Sequence, residues 1–205
     1  MTVLPARLLP DTAAVGDDGW LTVGGCSVRD LAAEFGTPLF VYDETHVRNR
    51  CREAVAAFGH RRAVYASKAF SCRAMARLAY EEGMRLDVAT GGELHIALTA
   101  GVPASECVLH GNNKSVTELR QAITAGVGHV VVDSFDELDR LDALHAEGVG
   151  PAPAVLLRIT PGVHAHTHEF IATGQDDSKF GFNLGNDDAM RAVERAQASP
   201  SLRLV

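Results

Sequence analysis

Residues 129–144, HVVVDSFDELDRLDAL, contain the unit from which the fold is built, a β-strand followed directly by a helix. Three consecutive valines at 130–132 are typical of a strand that is covered on both faces. Residues 134–137 have the S-x-x-E spacing of a capping box, in which a hydroxyl and a carboxylate accept hydrogen bonds from free amides at a helix start. The buried face of the helix is predicted by three leucines at helical spacing, Leu138, Leu141 and Leu144.

The same unit recurs along the chain at a regular interval. The central residues of four strand-like runs are each 22 residues apart, Val64, Leu86, Val108 and Val130. A fifth run is centred on Leu156, 26 residues later, and helical segments with capping boxes at 90–93 and 115–118 lie between the runs. Four glycines follow the helices where a left-handed residue would end them, Gly83, Gly101, Gly126 and Gly148. Strands that alternate with helices in this way predict an α/β protein with a parallel sheet.

A polar side chain stands at or near the carboxyl end of each of these strands. These side chains are Lys68, Asp87, His110, Asp133 and Arg158. A closed barrel gathers all of its strand ends around one site, whereas an open doubly wound sheet uses only its switch point. Polar groups on all five strand ends therefore favour the barrel, while the periodicity alone leaves the open sheet possible.

The length of the chain predicts that the barrel is incomplete. Eight units need about 250 residues, and this chain of 205 contains five units plus LRLV at 202–205, which resembles the start of a sixth strand. We therefore expect an N-terminal portion of a longer protein, with a partial barrel over residues 41–205. Residues 1–40 are expected to form a separate segment with a β-hairpin around Gly24 and Gly25. A strand ending near Tyr42 and a helix capped by Asp43 would follow.

The composition excludes several classes of function. Hydrophobic residues make up 46% of the chain and charged residues 22%, as in a soluble globular protein. A net charge of −7 argues against a nucleic-acid partner, and no run approaches the roughly 18 apolar residues of a membrane span. The four cysteines are dispersed, which indicates reduced thiols in a cytoplasmic protein and neither disulfides nor a zinc site.

Lys68 lies within the otherwise apolar stretch AVYASKAF, residues 63–70, and this position has two explanations. A lysine at a strand end can reach solvent along its flexible side chain. Alternatively, an amine made reactive by burial and neighbouring cations can condense with an aldehyde. That aldehyde could belong to a substrate or to pyridoxal phosphate, and the residues alone do not decide between them.

Six motifs in order resemble one family of enzymes. They are VYASKAF (64–70), LDVATGGEL (86–94), LHGNNKS (109–115), VVDSFDELDRL (131–141), LLRITPGVHAHTHEFIATG (156–174) and SKFGF (178–182). Together they resemble the diaminopimelate decarboxylases, which belong to the alanine-racemase-like, fold-type III group of pyridoxal-phosphate-dependent decarboxylases. The resemblance implies a (β/α)8 TIM-type barrel, of which this chain would hold about five units and a sixth strand. The N-terminal hairpin would belong to a second, β-rich domain.

The resemblance also implies a cofactor and the residues that bind it. Lys68 matches the lysine that forms a Schiff base with pyridoxal 5'-phosphate and acts in catalysis. Asp87 and Arg158 match positions that line the cofactor pocket, and His110 lies on the same rim. The phosphate-binding loop, the ring-stacking histidine and the partner of the pyridine nitrogen would all lie beyond Val205.

The function implied is decarboxylation of meso-2,6-diaminopimelate to L-lysine, the last step of lysine biosynthesis. The partner would be a small amino-acid substrate, and the full-length enzyme would be a homodimer. The alternatives are a related basic-amino-acid or carboxynorspermidine decarboxylase on the same fold, or a catalytically inactive fragment.

Four other features have simpler explanations. The histidines of HAHTH, at 164, 166 and 168, are expected to lie in a polar loop and not to bind a metal, because no fourth ligand is evident. Lys179 has polar neighbours and is expected to be exposed. Asp133 is expected to steady the next helix. Asn112 and Lys114 could contact phosphate, and turn formation explains them equally well.

Overall fold

The structure is a computed structural model that describes residues 5–162 and 180–205, and these residues form two units. Of the described residues, the first unit comprises 5–63 and Glu82–Met84, and the second comprises Val64–Glu81, 85–162 and 180–205. Within the described residues, no helix combines the length and the apolar character that crossing a membrane requires.

The first unit contains a small antiparallel sheet and two helices. These are β1 Ala14–Val15, β2 Leu21–Val23, β3 Cys26–Ser27, α1 Val28–Phe35 and α2 Glu44–Phe58. Strands β2 and β3 are joined by Gly24 and Gly25, which have φ angles of 60° and 80°. Two consecutive residues with positive φ suit the tight turn of a two-residue hairpin, and the predicted hairpin is confirmed.

The strand predicted to end near Tyr42 is absent. Residues 36–43 belong to no strand, and the Phe40 side chain is 88% exposed. A strand needs a neighbouring backbone to pair with, and none of the described strands pairs with this stretch. The helix after it is confirmed, because Asp43 Oδ1 accepts a hydrogen bond of 3.0 Å from Thr45 N and caps α2.

The second unit is a succession of strands and helices. In chain order they are β4 Val64–Ala66, α3 Arg73–Glu81, β5 Arg85–Val88, α4 Gly91–Thr99, β6 Cys107–Leu109, α5 Val116–Ala125, β7 His129–Val132, α6 Phe135–Ala146, β8 Ala154–Leu157, β9 Ile159–Thr160, β10 Phe182–Asn183, α7 Asp188–Ala198 and β11 Arg203–Leu204. All six predicted strands of the repeat are present, and the fifth continues into the short strand β9.

The strand order identifies the sheet as part of a barrel. Among the described residues, six strands pair in the order β4-β5-β6-β7-β8-β11, and every neighbouring pair is parallel. This order follows the chain without reversal, whereas a doubly wound sheet reverses at its switch point. The (β/α) barrel prediction is therefore confirmed, with five βα units and a sixth strand present.

The two faces of this sheet differ in what covers them. The side chains of Leu86, Val88 and Val130 are fully buried on the face toward the helices. Alternate residues point to the opposite face, where the side chains of Val64 and Leu156 remain 43% and 39% exposed. Part of this second face therefore remains accessible.

The helix starts follow the predicted caps with one difference. At α5 the capping box is complete, because Ser115 Oγ accepts from Glu118 N and Glu118 Oε2 accepts from Ser115 N. At α4 and α6 the capping hydroxyl accepts as predicted, but the carboxylate takes the amide one residue earlier, of Ala89 and Asp133, each at 2.7 Å. The backbone of these two caps is more extended, with φ of −142° and −156° against −69° at Ser115, which turns the earlier amide toward the carboxylate.

We predict opposite effects for two Gly→Ala substitutions in the second unit. A Cβ at Gly128, just before β7, would lie 2.1 Å from the carbonyl oxygen of Ser105 and 2.6 Å from Arg85 Nη2. Gly128→Ala should lower the free energy of unfolding by about 1–3 kcal/mol, the usual cost of overpacking. Gly92→Ala is the control, since its nearest contact would be an ordinary 3.7 Å and it lies in α4.

Urea denaturation of both variants measures these changes. Gly92→Ala should be neutral or raise the free energy of unfolding by up to about 1 kcal/mol, because alanine favours helix. Equal stability of the Gly128→Ala and wild-type proteins would show that the backbone approach at Gly128 is not as close as described.

Candidate functional site

A cavity of about 750 Å³ opens at the carboxyl ends of the parallel strands in the second unit. It is lined by Lys68, Asp87, Ala89, His110, Gly111, Asn112, Val131, Leu156, Leu157, Arg158 and Phe180. All four side chains predicted from the sequence to bind the cofactor are in this lining. The structure therefore brings together residues that are up to 90 positions apart in the chain.

The register of the strands explains why the side chains of Asp87 and His110 meet. Asp87 pairs with Ala66 on one side and with Val108 on the other, so these three residues share a face of the sheet. His110 lies two positions beyond Val108 and its amide still bonds to the neighbouring strand at Val88, so a period of two keeps its side chain on the same face. Lys68 lies beyond β4 in a turn, and the turn brings its side chain to the cavity.

Lys68 is exposed and not buried as its apolar neighbours suggested. It lies in a 3₁₀ turn, Ser67–Ala69, that follows β4 directly, and its side chain is exposed at the cavity. The expectation that burial activates this amine is therefore wrong for the structure described. The turn carries Lys68 past the end of the strand, and the lysine consequently both reaches solvent and faces the cavity.

Among the titratable groups that line the cavity, His110 is the one whose pKa is clearly shifted by its surroundings. Partial burial lowers the pKa of His110 below its usual value near 6.5, because the charged imidazolium loses hydration. The positive charges of Lys114, Arg158 and Lys68 lower this pKa further, while the carboxylate of Asp87 opposes them. The lowered pKa favours the uncharged imidazole of His110 at neutral pH.

Arg158 is held in the cavity wall by two contacts. Its Nη1 donates a hydrogen bond of 3.1 Å to Asp133 Oδ1, and its guanidinium carbon lies 4.3 Å from the centre of the Phe180 ring. A guanidinium stacked on a ring and paired with a carboxylate has little freedom to move. Arg158 remains about one-third exposed and lines the cavity, so it can still bind an anionic group.

The structure gives Asp133 a different role from the one predicted. Its carboxylate does not bind the amides of α6 but accepts hydrogen bonds from Arg158 Nη1 and from the amide of Gly181. The start of α6 is stabilised by the hydroxyl of Ser134 instead. The sequence did contain one indication of a role at the site, because Asp133 lies at a strand end like the four cavity residues.

Lys114 does not contact the cavity, although its sequence context allowed a phosphate-binding role. Its side chain is 1% exposed, and its ammonium donates to the carbonyl oxygens of Gly111 and Val131 at 2.6 and 2.7 Å. The ammonium also lies 2.6 Å from Glu137 Oε1, whose pKa is raised by burial in spite of this positive neighbour. Lys114 thus joins the ends of β6 and β7 behind the cavity wall.

Two expectations fall outside the described residues. These are the polar loop at His164, His166 and His168 and the exposed position of Lys179, since residues 163–179 are not described. Across residues 5–162 and 180–205, no group of three or more His, Cys, Asp or Glu side chains is arranged to hold a metal ion.

The class of protein follows from a family match that agrees with the position of the cavity. In (β/α) barrels the ligand site lies at the carboxyl ends of the strands, and here an amine, a guanidinium, an imidazole and a carboxylate meet there. Residues 44–205 match the family model described as "Pyridoxal-dependent decarboxylase, pyridoxal binding domain". The chain therefore belongs to the family of pyridoxal-dependent decarboxylases.

Individual relatives are similar over nearly the whole chain. Diaminopimelate decarboxylase of Mycobacterium tuberculosis is 51% identical over 203 residues, which are 98% of this chain and 45% of that protein. The enzyme of the same name from Bacillus subtilis is 48% identical over 201 residues, 96% of this chain and 46% of that protein. The chain thus spans a little under half the length of these relatives.

A solved structure is similar in both sequence and fold. The crystal structure of diaminopimelate decarboxylase from M. jannaschii in co-complex with L-lysine aligns with a TM-score of 0.82 and 34% identity. The alignment covers 95% of this chain and 46% of that one.

We predict that His110 titrates with a midpoint below pH 6.5 in the protein freed of small ligands. NMR titration of its ring protons measures the midpoint, and His110→Gln identifies the signal by removing it. Lys68→Met removes a positive neighbour and should raise the midpoint, whereas Asp87→Asn removes the negative neighbour and should lower it. A midpoint above 6.5, or shifts of the opposite sign, would contradict the charge arrangement described for the cavity.

Proposed function

We propose that this chain is the pyridoxal-phosphate-binding part of a diaminopimelate decarboxylase, which converts meso-2,6-diaminopimelate to L-lysine and CO2. The main support for this proposal is that one cavity at the strand ends of the barrel is lined by Lys68, Asp87, His110 and Arg158. The relatives that support the substrate are named diaminopimelate decarboxylase and are about half identical in sequence.

The residues present fit this cofactor. The cavity holds an exposed amine, Lys68, to which an aldehyde can bond, and a fixed guanidinium, Arg158, which suits an anionic oxygen. Lys68 is the lysine among the described residues that can do this, because Lys114 is buried and paired. When bound, pyridoxal phosphate supplies an aldehyde that condenses with amines and a ring that accepts electrons as a carboxylate leaves.

Each of the four side chains has a distinct part in the proposed reaction. Lys68 Nζ would hold the cofactor and could return a proton to the reacting carbon. The Arg158 guanidinium binds an anionic oxygen of the cofactor or the substrate carboxylate. His110 contributes a polar but uncharged wall, and Asp87 supplies negative charge beside the cations of the cavity.

The proposal extends to assembly and location. We expect a homodimer in the cytoplasm, on the basis of the family resemblance and of the free thiols of all four cysteines.

We predict that the protein expressed from its complete reading frame forms lysine from meso-diaminopimelate in the presence of pyridoxal phosphate. Lysine is measured by chromatography and CO2 by a coupled assay. Lys68→Met should abolish turnover because it removes the amine. Arg77→Met is the control: it also removes one positive charge, but from the exposed face of α3, where Arg77 pairs only with Glu81 at 2.8 Å among the contacts described.

Three outcomes would contradict part or all of this assignment. A folded wild-type protein that forms no lysine would contradict the function, and turnover by Lys68→Met would contradict the role of the amine. Release of CO2 from lysine or ornithine, without any from diaminopimelate, would favour a related basic-amino-acid decarboxylase.

A further inference from the structure

Asp133 connects two segments of the cavity wall that are distant in sequence. Its carboxylate is buried, with 4% of the residue exposed, and it does not itself line the cavity. Oδ1 accepts a hydrogen bond of 3.1 Å from Arg158 Nη1, and Oδ2 accepts one of 3.0 Å from the amide of Gly181. One buried carboxylate thus binds the strand end that carries Arg158 and the segment that carries Phe180.

These two segments are packed closely against each other. Gly181 has a φ of +73°, and a Cβ at this position would lie 2.7 Å from the carbonyl oxygen of Arg158. The same carbonyl accepts a hydrogen bond of 2.8 Å from Phe182 N. The Arg158 guanidinium in turn lies over the Phe180 ring. The side chain and the backbone of Arg158 are therefore both in contact with residues 180–182.

The position of Asp133 is itself fixed from the side away from the cavity. Its backbone amide donates to Glu137 Oε2 at 2.7 Å, and Glu137 is paired with the buried ammonium of Lys114. The backbone amide of Arg158 donates to the carbonyl of Val132, the residue before Asp133, at 2.9 Å. The carboxylate is consequently presented from a rigid strand end.

We propose that Asp133 is a positioning residue that fixes the Arg158 guanidinium and the Phe180 ring in the cavity wall, and so sets the affinity for an anionic ligand. The naming of that ligand as pyridoxal phosphate rests on the proposed function. A charge-assisted hydrogen bond is roughly twice as strong as a neutral one. Without it, the guanidinium regains rotamer freedom that a bound anion must then remove.

The first test needs no cofactor. Asp133→Asn preserves the size of the side chain and an oxygen for the Gly181 amide, but it removes the negative charge that holds Arg158. Modification by phenylglyoxal, mapped by mass spectrometry of peptides, should then be about tenfold faster at Arg158, as expected for loss of one charged hydrogen bond. Asp136→Asn is the matched control, because this carboxylate lies on the exposed side of α6 and pairs with Arg140; it should leave the Arg158 rate unchanged.

The second test is a double-mutant cycle on the dissociation constant of pyridoxal phosphate, measured by absorbance titration. Asp133→Asn should weaken binding about tenfold when Arg158 is present and have little effect in Arg158→Met, because it acts through Arg158. A purely structural role would lower the melting temperature and weaken binding equally in both backgrounds. That result, or an unchanged Arg158 modification rate, would overturn the proposal.

If Asp133→Asn does not fold, a measurement on the wild-type protein tests the proposal instead. NMR hydrogen exchange should show a protected Gly181 amide, and exchange at the unprotected rate would overturn the proposal. If the wild-type protein binds no pyridoxal phosphate, the proposed function fails, while the arginine modification rates still decide the role of Asp133.

Discussion

The site depends on one constraint, the parallel pairing of successive strands in a fixed register. Right-handed strand–helix–strand connections place each new strand beside the last and direct all carboxyl ends to the same edge. Because Ala66, Asp87 and Val108 pair directly, they share one face of the sheet, and His110, two positions beyond Val108, lies on the same face. A slip of one residue in any strand would turn its polar group toward the helices.

Behind this edge, a connected set of buried polar groups holds the strand ends in place. Lys114 donates to the carbonyl oxygens of Gly111, just after β6, and of Val131, within β7. Glu137 pairs with Lys114, and the Glu137 carboxylate also accepts from the amide of Asp133. Burying an ion pair costs desolvation energy that the pair alone seldom recovers. Its effect here is geometric, since it leaves the Asp133 carboxylate in one place from which to hold Arg158.

Local sequence patterns predict much of the fold, but they do not predict which distant residues contact each other. The regular spacing of apolar runs in the sequence predicts every strand of the repeat. It also predicts that Lys68 and Arg158 lie at the same end of the sheet. It does not predict the exposure of Lys68 or the burial of Lys114, because both depend on which distant backbone lies near. The predicted strand ending near Tyr42 failed for the same reason, since β-propensity forms no strand without a partner.

We propose that pyridoxal phosphate attaches to the exposed amine of this cavity, and covalent trapping of the bound cofactor tests this attachment. The chain contains three lysines, Lys68, Lys114 and Lys179, so a single labelled residue can be identified without ambiguity. The protein would be incubated with pyridoxal phosphate, reduced with borohydride and digested for mass spectrometry. We expect one reduced pyridoxyl group, on Lys68, that disappears in Lys68→Met. A label mainly on Lys114 or Lys179, or one that persists in Lys68→Met, would contradict it.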